Sequence, residues 1–384
     1  MHVRAFFLLL LMGCHAAGAP RPAGDVPVTP ARRAESRSLP SIFQAWSPAE
    51  NAGDEDPLVI MARHDLVWHS PGMFGLRWGG GYEGLATGFV PESLATGAEK
   101  RRKLMALNPN IILIAEVRFR DAWKGYLPEG HRWWKRDASG KVVPGWEEGG
   151  FILMDFADPE FRRHVAAQCA AVAKSGVFDG ILLDWWDDDD DRLALVREIR
   201  AAVGPDALIM ANANTRKTPR TAPFINGYFM ECTANSTPGD WLEIADTLLW
   251  AETNLVAPRV NCVETWFRES RKDFALMRST TTLVLTMSDG YALFSDPNPL
   301  PTPDHLHDWY PFWDRSLGRP RGKGGKGPDG TWQREFENGT VVYNPMGNPP
   351  AEVSFGDKRR SVGLGTNATR FTLPGGDGDL YLSR

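Results

Sequence analysis

Cysteine is scarce in this sequence, and its scarcity excludes two classes of small scaffold. Only 4 of the 384 residues are cysteine, and their spacing fits neither a disulfide framework nor a zinc site. Cys14 lies in the N-terminal segment, and the others are Cys169, Cys232 and Cys262. We expect Cys169 to be a core residue on a helix, while Cys232 and Cys262 could pair in an oxidising compartment.

An excess of basic charge is also lacking. Lys and Arg number 43 against 48 Asp and Glu, which gives a formal net charge of −5. Nucleic-acid binding depends on the neutralisation of phosphates by cations, so we expect no nucleic-acid partner. The G-x-S-x-G motif of serine hydrolases is missing. The glycine-rich segments at 79–84 and 322–327 lack the context of nucleotide-binding loops.

Long apolar runs are missing beyond the N-terminus. Residues 1–19 combine a short basic start, His2 to Arg4, with an apolar run from Ala5 to Met12, which is typical of an export signal. Residues 11–14 resemble a lipoprotein processing site at Cys14, and ordinary cleavage near residues 17–19 is an equal alternative. We therefore expect an extracytoplasmic protein that is periplasmic, secreted or anchored to a membrane through a lipidated Cys14. Residues 20–39 are predicted to be a flexible tether.

Short apolar runs alternate with amphipathic stretches between residues 40 and 318, as expected for βα units. Several runs are apolar almost throughout, which favours strands that are covered on both faces. The eight predicted strands are Ser41–Trp46, Asp65–Trp68, Ile111–Glu116, Gly180–Trp185, Leu208–Asn212, Gly227–Glu231, Val260–Glu264 and Thr281–Met287. We predict an α/β fold, a (β/α)₈ TIM barrel followed by a small C-terminal β domain.

The segment after the barrel changes character. Residues 319–330 are rich in Gly, Pro and basic side chains and are predicted to form a linker. Residues 331–384 then alternate short apolar runs with Gly- and Asn-containing turns, which predicts the β domain. Its expected strands are Arg334–Phe336, Thr340–Tyr343, Glu352–Phe355, Arg370–Leu373 and Leu380–Leu382.

Tryptophan is abundant, with 15 residues against only 7 tyrosines. About half of so many large rings can be explained as packing, and the others invite a role in binding. Five aromatic residues lie in a long insertion between predicted strands three and four: Trp123, Tyr126, Trp133, Trp134 and Trp146. Loops of this length are usually functional, so we expect this insertion to form a wall or lid of the site.

The ends of the predicted strands carry acids, amides and tryptophans. Active sites of α/β barrels lie at the carboxyl ends of the strands. These ends are Trp46, Trp68 with His69, Glu116, Asp184 with Trp185, Asn212, Glu231, Glu264 and Asp289. Carboxylates for proton transfer, amides for hydroxyl groups and flat rings for sugar faces together indicate a carbohydrate site.

Asp184 and Glu231 are the predicted catalytic pair. Asp184 ends the buried run Gly180–Leu183, and an acid is costly there unless it has a partner or a function. Glu231 would lie two strands further along, close enough to share a pocket. Glu264 and Glu116 are rivals for the second role, whereas Asp179 is expected to bind backbone at the strand entrance.

The predicted substrate-binding residues are Trp46, Trp68, Glu116, Asp155, Trp185, Asn212, Glu264 and Trp266. Chemistry with two carboxyl groups requires neither a metal nor another cofactor. The segment His305-x-His307, with Asp304 and Asp308 beside it, is interpreted as a polar loop rather than a metal site.

Three segments resemble a known family. They are residues 178–184, Phe-Asp-Gly-Ile-Leu-Leu-Asp, residues 228–231, Tyr-Phe-Met-Glu, and residues 334–345 near the C-terminus. They resemble the hypothetical glycosyl hydrolase barrels catalogued as family fifteen, which are distantly similar to α-1,4-polygalactosaminidase barrels. The resemblance implies a TIM barrel in which Asp184 is the nucleophile or base and Glu231 the proton donor.

The sequence thus predicts a glycoside hydrolase that cleaves a poly- or oligosaccharide. A non-catalytic carbohydrate-binding barrel or surface lipoprotein is the alternative, because it would need the tryptophans but not the acid pair. A metal-dependent hydrolase barrel would require several histidines at strand ends, and only His69 is so placed. The glycan, the stereochemical outcome, endo or exo action and the oligomeric state are left open.

Overall fold

A computed structural model describes residues 29–296 and 305–383. The predicted export signal, Cys14 and the first part of the expected tether lie outside these residues. From Thr29 onward the chain is folded, because Thr29 caps helix α1 (Pro30–Ser36) and Arg33 and Arg37 are buried. The later part of the segment expected to be a tether is therefore part of the folded body.

Eight parallel strands form the first sheet, and a hairpin (β4 and β5) is inserted after the third strand. The bounds are β1 (Phe43–Ala45), β2 (Leu66–His69), β3 (Ile112–Glu116), β4 (Asp121–Trp123), β5 (Phe151–Leu153), β6 (Gly180–Leu183), β7 (Leu208–Asn212), β8 (Gly227–Cys232), β9 (Cys262–Trp266) and β10 (Tyr291–Ser295). The first and last strands meet, since Ile42 bridges to Ala292 in parallel and Ala292 N donates to Ser41 O at 3.0 Å. The predicted (β/α)₈ barrel is confirmed.

The helices pack around this barrel and begin at the capping signals of the sequence. Their bounds are α2 (Pro57–Ala62), α3 (Pro91–Leu107), α4 (Pro159–Lys174), α5 (Asp190–Val203), α6 (Pro238–Asn254) and α7 (Phe274–Met287). Asp158 caps α4 and Asp189 caps α5, which explains part of the acidic run at 187–191. Among the described residues, no helix combines the length and the apolar character needed to cross a membrane.

The prediction of the eighth strand was wrong. Residues 281–287 belong to helix α7, and the strand is Tyr291–Ser295. The run looks like a strand because its residues are apolar or β-branched without a polar face. In the fold α7 lies between the barrel and the C-terminal sheet, so nearly its whole surface is buried. Its threonine hydroxyls are satisfied by donating back to the carbonyl four residues earlier, as Thr281 does to Met277 O at 2.9 Å.

The C-terminal sheet is antiparallel, and the five strands expected for it are all present. Its bounds are β11 (Gly325–Lys326), β12 (Trp332–Phe336), β13 (Gly339–Asn344), β14 (Ala351–Ser361), β15 (Asn367–Leu373) and β16 (Asp377–Leu382). It docks on α7 through the Arg278–Asp377 ion pair, with Nη2–Oδ2 at 2.6 Å. The segment expected to be a linker is held against the sheet, because Arg321 N donates to Glu335 O at 2.9 Å.

All three described cysteines are free and buried. Cys169 lies on the inner face of α4, which confirms its predicted place in the core. Cys232 and Cys262 are on neighbouring strands but are not joined, so the disulfide considered above is not formed.

Candidate active site

The carboxyl ends of the barrel strands surround a cleft with a volume of about 500 Å³. Its walls combine acidic, amide and aromatic side chains, as the strand ends predicted. The lining residues are Trp46, Trp68, Arg118, Trp146, Glu148, Asp184, Trp185, Asn212, Asn214, Phe229, Glu231, Thr233, Trp266 and His305. Both predicted catalytic acids therefore face one cavity of the size that binds small ligands.

Asp184, Asn212 and Glu231 form the centre of this cleft. They follow or end three successive strands, β6, β7 and β8. Asn212 Nδ2 donates to Asp184 Oδ1 at 2.8 Å and to Glu231 Oε2 at 3.0 Å. Because one nitrogen contacts both oxygens, these oxygens lie no further apart than the sum of the two distances. Asn212 thus holds the two carboxyl groups within reach of the same small substrate group.

The backbone at the mouth is strained in a way that aims side chains inward. Four described residues other than glycine have positive φ: Trp46 at 47°, Trp185 at 53°, Asn214 at 49° and His305 at 55°. All four line the cleft. For a bulky tryptophan this conformation costs of the order of 1–3 kcal/mol, and such strain concentrates at functional sites.

Glu231 has the protonation behaviour that a general acid needs. Its pKa is raised to about 7, chiefly because burial removes hydration from the charged form. Within that result the charge of His305 lowers the pKa, the charges of Glu264 and Asp184 raise it, and the hydrogen bond from Asn212 lowers it. A carboxyl group with this pKa keeps a proton near neutral pH.

Glu264 lies behind the cleft rather than in its lining. It is fully buried on β9, and the β8–β9 register places it beside Glu231. His305 Nδ1 contacts its two carboxylate oxygens at 2.8 and 3.0 Å, and Ser295 Oγ donates to Oε1. The segment around His305 is a loop, as interpreted, but the role of His305 was missed, because this residue is 3% exposed and lines the cleft.

Glu116 also lies behind the cleft, where it forms an ion pair with Arg118 (Nε–Oε1 3.1 Å). Arg118 is the side chain of this pair that reaches the cleft. Burial lowers its pKa, but the charges of Glu116, Asp184 and Asp121 outweigh that effect and raise it. Glu116 thus pairs with Arg118, which lies beside Asp184, and is not among the residues that line the cleft.

The predicted aromatic residues divide into those that line the cleft and those that pack. Trp46, Trp68, Trp185 and Trp266 line it, as expected. Of the insertion aromatics only Trp146 does so. Trp133, Trp134 and Tyr126 are buried in the main hydrophobic core, and Trp123 is exposed outside the cleft.

The insertion is tied to the barrel mouth through Arg120. Its guanidinium lies over the Trp185 ring at 4.2 Å, and its Nη1 binds Asp121 Oδ2 at 2.6 Å. Asp121 Oδ2 also accepts from Trp146 N at 2.9 Å. This connection fixes two cleft tryptophans, Trp146 and Trp185, relative to each other.

Two predicted positions fall outside the cleft. Asp155 follows the insertion hairpin, where its backbone bonds Trp133 O at 2.8 Å, so it does not reach the lining. Asp289 precedes β10 instead of ending it and pairs with Arg334 at 2.6 Å. The correction of the eighth strand moves it to the opposite end of the barrel.

Five lining residues besides His305 had no assigned role in the site: Arg118, Glu148, Asn214, Phe229 and Thr233. Asn214 and Thr233 come one or two residues after their strands end, so the loop residues that follow each strand were the available signal. Glu148 lies on the insertion, and no strand period points to it.

Among the described residues, one group of three ionisable side chains brings potential ligand atoms within 4.8 Å of one another: Glu231, Glu264 and His305. Each already has a protein partner. Glu264 and His305 bond each other, and Glu231 accepts from Asn212. The contacts join these side chains and Asn212 in one hydrogen-bonded cluster at the cleft.

No protein-family model matches the chain, and no curated protein matches it in sequence. Solved structures do match its fold. An α-amylase from Lactobacillus plantarum aligns with a TM-score of 0.54 and 10% identity over 92% of this chain and 100% of that chain. A noncanonic maltogenic α-amylase from Thermotoga neapolitana gives 0.54 and 10% over 90% and 99%.

A third structure is the cyclic α-maltosyl-(1→6)-maltose hydrolase from Arthrobacter globiformis in complex with cyclic α-maltosyl-(1→6)-maltose. It gives a TM-score of 0.52 and 12% identity over 93% of this chain and 100% of that chain. At these identities the similarity establishes the fold, a TIM barrel with a C-terminal β domain.

Proposed function

We propose that this chain is a glycoside hydrolase acting on an oligo- or polysaccharide, with Glu231 as general acid and Asp184 as the ionised carboxylate. The observation that carries the proposal is the contact of Asn212 with both carboxyl groups. It places one proton donor and one anion around a single cleft lined by tryptophans. That is the minimal equipment for glycosidic bond cleavage.

The proposed mechanism is a retaining one. The bonded oxygens of Asp184 and Glu231 are within about 5.8 Å of each other, which is compatible with the 5–5.5 Å carboxyl separation of retaining enzymes. Glu231 gives its proton to the leaving oxygen while Asp184 bonds to the anomeric carbon. Water then attacks that carbon, Glu231 regains the proton, and Asp184 leaves as carboxylate.

The aromatic lining supports a carbohydrate substrate. Trp46, Trp185 and Trp266 offer flat apolar surfaces, and Asn214 and Thr233 offer hydrogen-bonding groups beside them. The solved structures with a similar fold are amylases and a maltosyl-maltose hydrolase, and these are enzymes of carbohydrates, which agrees with this choice. The finer resemblance to family fifteen, export from the cytoplasm and lipidation of Cys14 remain parts of the proposal.

The test is turnover of a polysaccharide panel by Asp184→Asn and Glu231→Gln, with Glu147→Gln as the control, because Glu147 is exposed and does not line the cleft. We expect the first two to lose at least about 10²-fold in kcat and the control to stay within a few-fold. A small nucleophile such as azide should restore turnover in Asp184→Asn and give a glycosyl azide. If both variants release product at the wild-type rate, the acid-pair mechanism is wrong. Glycan binding without product release by the wild type would favour a non-catalytic barrel.

A further inference from the structure

Two carboxyl groups, those of Glu231 and Glu264, lie side by side in a buried part of the barrel, where two negative charges are unfavourable. Glu231 and Glu264 are paired in the parallel register of β8 and β9, so both side chains point the same way. Glu264 is completely buried. Two neighbouring carboxylates in such a setting repel each other, and one of them must be protonated or paired with a cation.

His305 supplies a partner to one of the two. Its Nδ1 lies 2.8 and 3.0 Å from the two carboxylate oxygens of Glu264. Ser295 Oγ donates to Glu264 Oε1 as well, so Glu264 is held from two sides. Histidine tolerates the left-handed backbone conformation at residue 305 better than most residues do, and that conformation turns the ring toward Glu264.

We propose that His305, held by Glu264, is a positioning residue that balances the buried charge of Glu264 and so keeps the proton on Glu231 loosely enough bound to be transferred. This inference rests on the proposed function of Glu231. It assigns a role to the loop after β10, which is remote in sequence from both predicted catalytic acids.

The other charged groups near Glu231 do not provide this balance. Asp184, after β6, is a second anion and acts in the same direction as Glu264. Arg118, after β3, is bound to Glu116 on the Asp184 side of the cleft. In agreement, the charge of His305 lowers the pKa of Glu231 and the charge of Glu264 raises it.

The test compares His305→Asn, Glu264→Gln and the double variant, because asparagine also tolerates the backbone conformation of residue 305. The readout is the alkaline limb of kcat/KM against pH, together with the ¹³C titration of the Glu231 carboxyl carbon, assigned by its absence in Glu231→Gln. Loss of the cation should move the titration of Glu231 upward by about one pH unit. Loss of the Glu264 charge should move it downward, and the double variant should return toward the wild-type value.

Ser295→Ala is the second variant, since it removes a contact to Glu264 and keeps His305. It should shift the titration less than His305→Asn does. A merely structural His305 would lower the melting temperature and leave the Glu231 titration unmoved, and that result would overturn the inference. The titration needs no substrate, so absence of turnover in the wild type would reject the proposed function without deciding the role of His305.

Discussion

Strand β6 carries an acid just before it and another just after it, and the two have opposite surroundings. Asp179, at the entrance, is buried and fully engaged: Arg33 and Arg101 pair with Oδ1, and Leu113 N donates to Oδ2 at 2.9 Å. Asp184, at the exit, is half-buried, accepts from Asn212 and Trp185 N, and faces a cleft. The five-residue interval contains both a structural and a candidate catalytic carboxylate.

The difference shows how an α/β barrel separates stability from chemistry. The entrance acid is neutralised by cations from α1 and α3, which ties those helices to the sheet. The exit acid faces the open cleft. Of its neighbours, Glu231 has a pKa raised to about 7 and Trp185 has a positive φ of 53°. The amino ends of the strands thus contribute to stability, whereas the carboxyl ends carry the candidate catalytic groups.

The largest expected effect comes from changing the exit acid. Asp184→Asn should reduce kcat by about 10³-fold or more, because the anion that meets the anomeric carbon is lost. Its free energy of unfolding should stay within about 1 kcal/mol of the wild type, since the amide can still bond its neighbours. Steady-state kinetics measures the loss of kcat, and urea unfolding of the same preparation measures the free energy of unfolding. A strong loss of stability would erase the contrast between the two ends.

The matched change at the entrance should do the reverse. Asp179→Asn leaves Arg33 and Arg101 facing a neutral group and should lower the free energy of unfolding by about 3 kcal/mol. Turnover per folded molecule should remain near the wild-type value. Urea unfolding followed by circular dichroism measures the first effect. If Asp179→Asn lost turnover as severely as Asp184→Asn while staying stable, both acids would belong to the site.

The pH dependence should report the exit side alone. Glu231 must be protonated to act as acid, and burial raises its pKa to about 7. As pH rises through that value the acid form is lost, so kcat/KM should fall roughly tenfold for each further pH unit. Rates from pH 5 to pH 9 provide the profile, with Asp179→Asn as the control that should keep the same limb. A flat profile up to pH 9 would show that Glu231 is not the proton donor.

The smallest expected effect concerns the Trp185 ring, which lies beside Asp184 in the cleft. Arg120→Ala removes the guanidinium 4.2 Å from the Trp185 ring and should raise KM a few-fold with little change in kcat, as expected for a contact of about 0.5–2 kcal/mol. Arg132→Ala is the control, because Arg132 lies over Trp133 on the same insertion but away from the cleft. Equal KM changes in both variants would point to a general loosening of the insertion instead.

Local patterns in the sequence were sufficient for most of the fold and for the centre of the site. The buried run ending at Asp184 and the run ending at Glu231 each signal a strand whose exit carries an acid, and barrel symmetry then brings them together. The prediction of the eighth strand was wrong although it used the same criterion as the others, a short apolar run. A helix buried on all sides, such as α7, has no polar face, so its apolar run cannot be distinguished from a strand by periodicity.

The residues that were misjudged depend on contacts between distant segments. His305 looked like a loop residue because nothing near it in sequence shows that Glu264, 41 residues earlier, lies against its ring. The insertion tryptophans could not be sorted either, since Trp146 lines the cleft while Trp133 packs against Phe161 on α4.

By itself the sequence determined the alternation of strands and helices, the barrel that follows from it and the acids at the strand ends, because hydrophobic period and capping are local properties. Only the tertiary structure decided which acid is neutralised and which is left reactive. That depends on the cations, amides and backbone strain that other segments bring to within about 3 Å, and hydrogen bonds and burial act over such distances in space rather than along the chain.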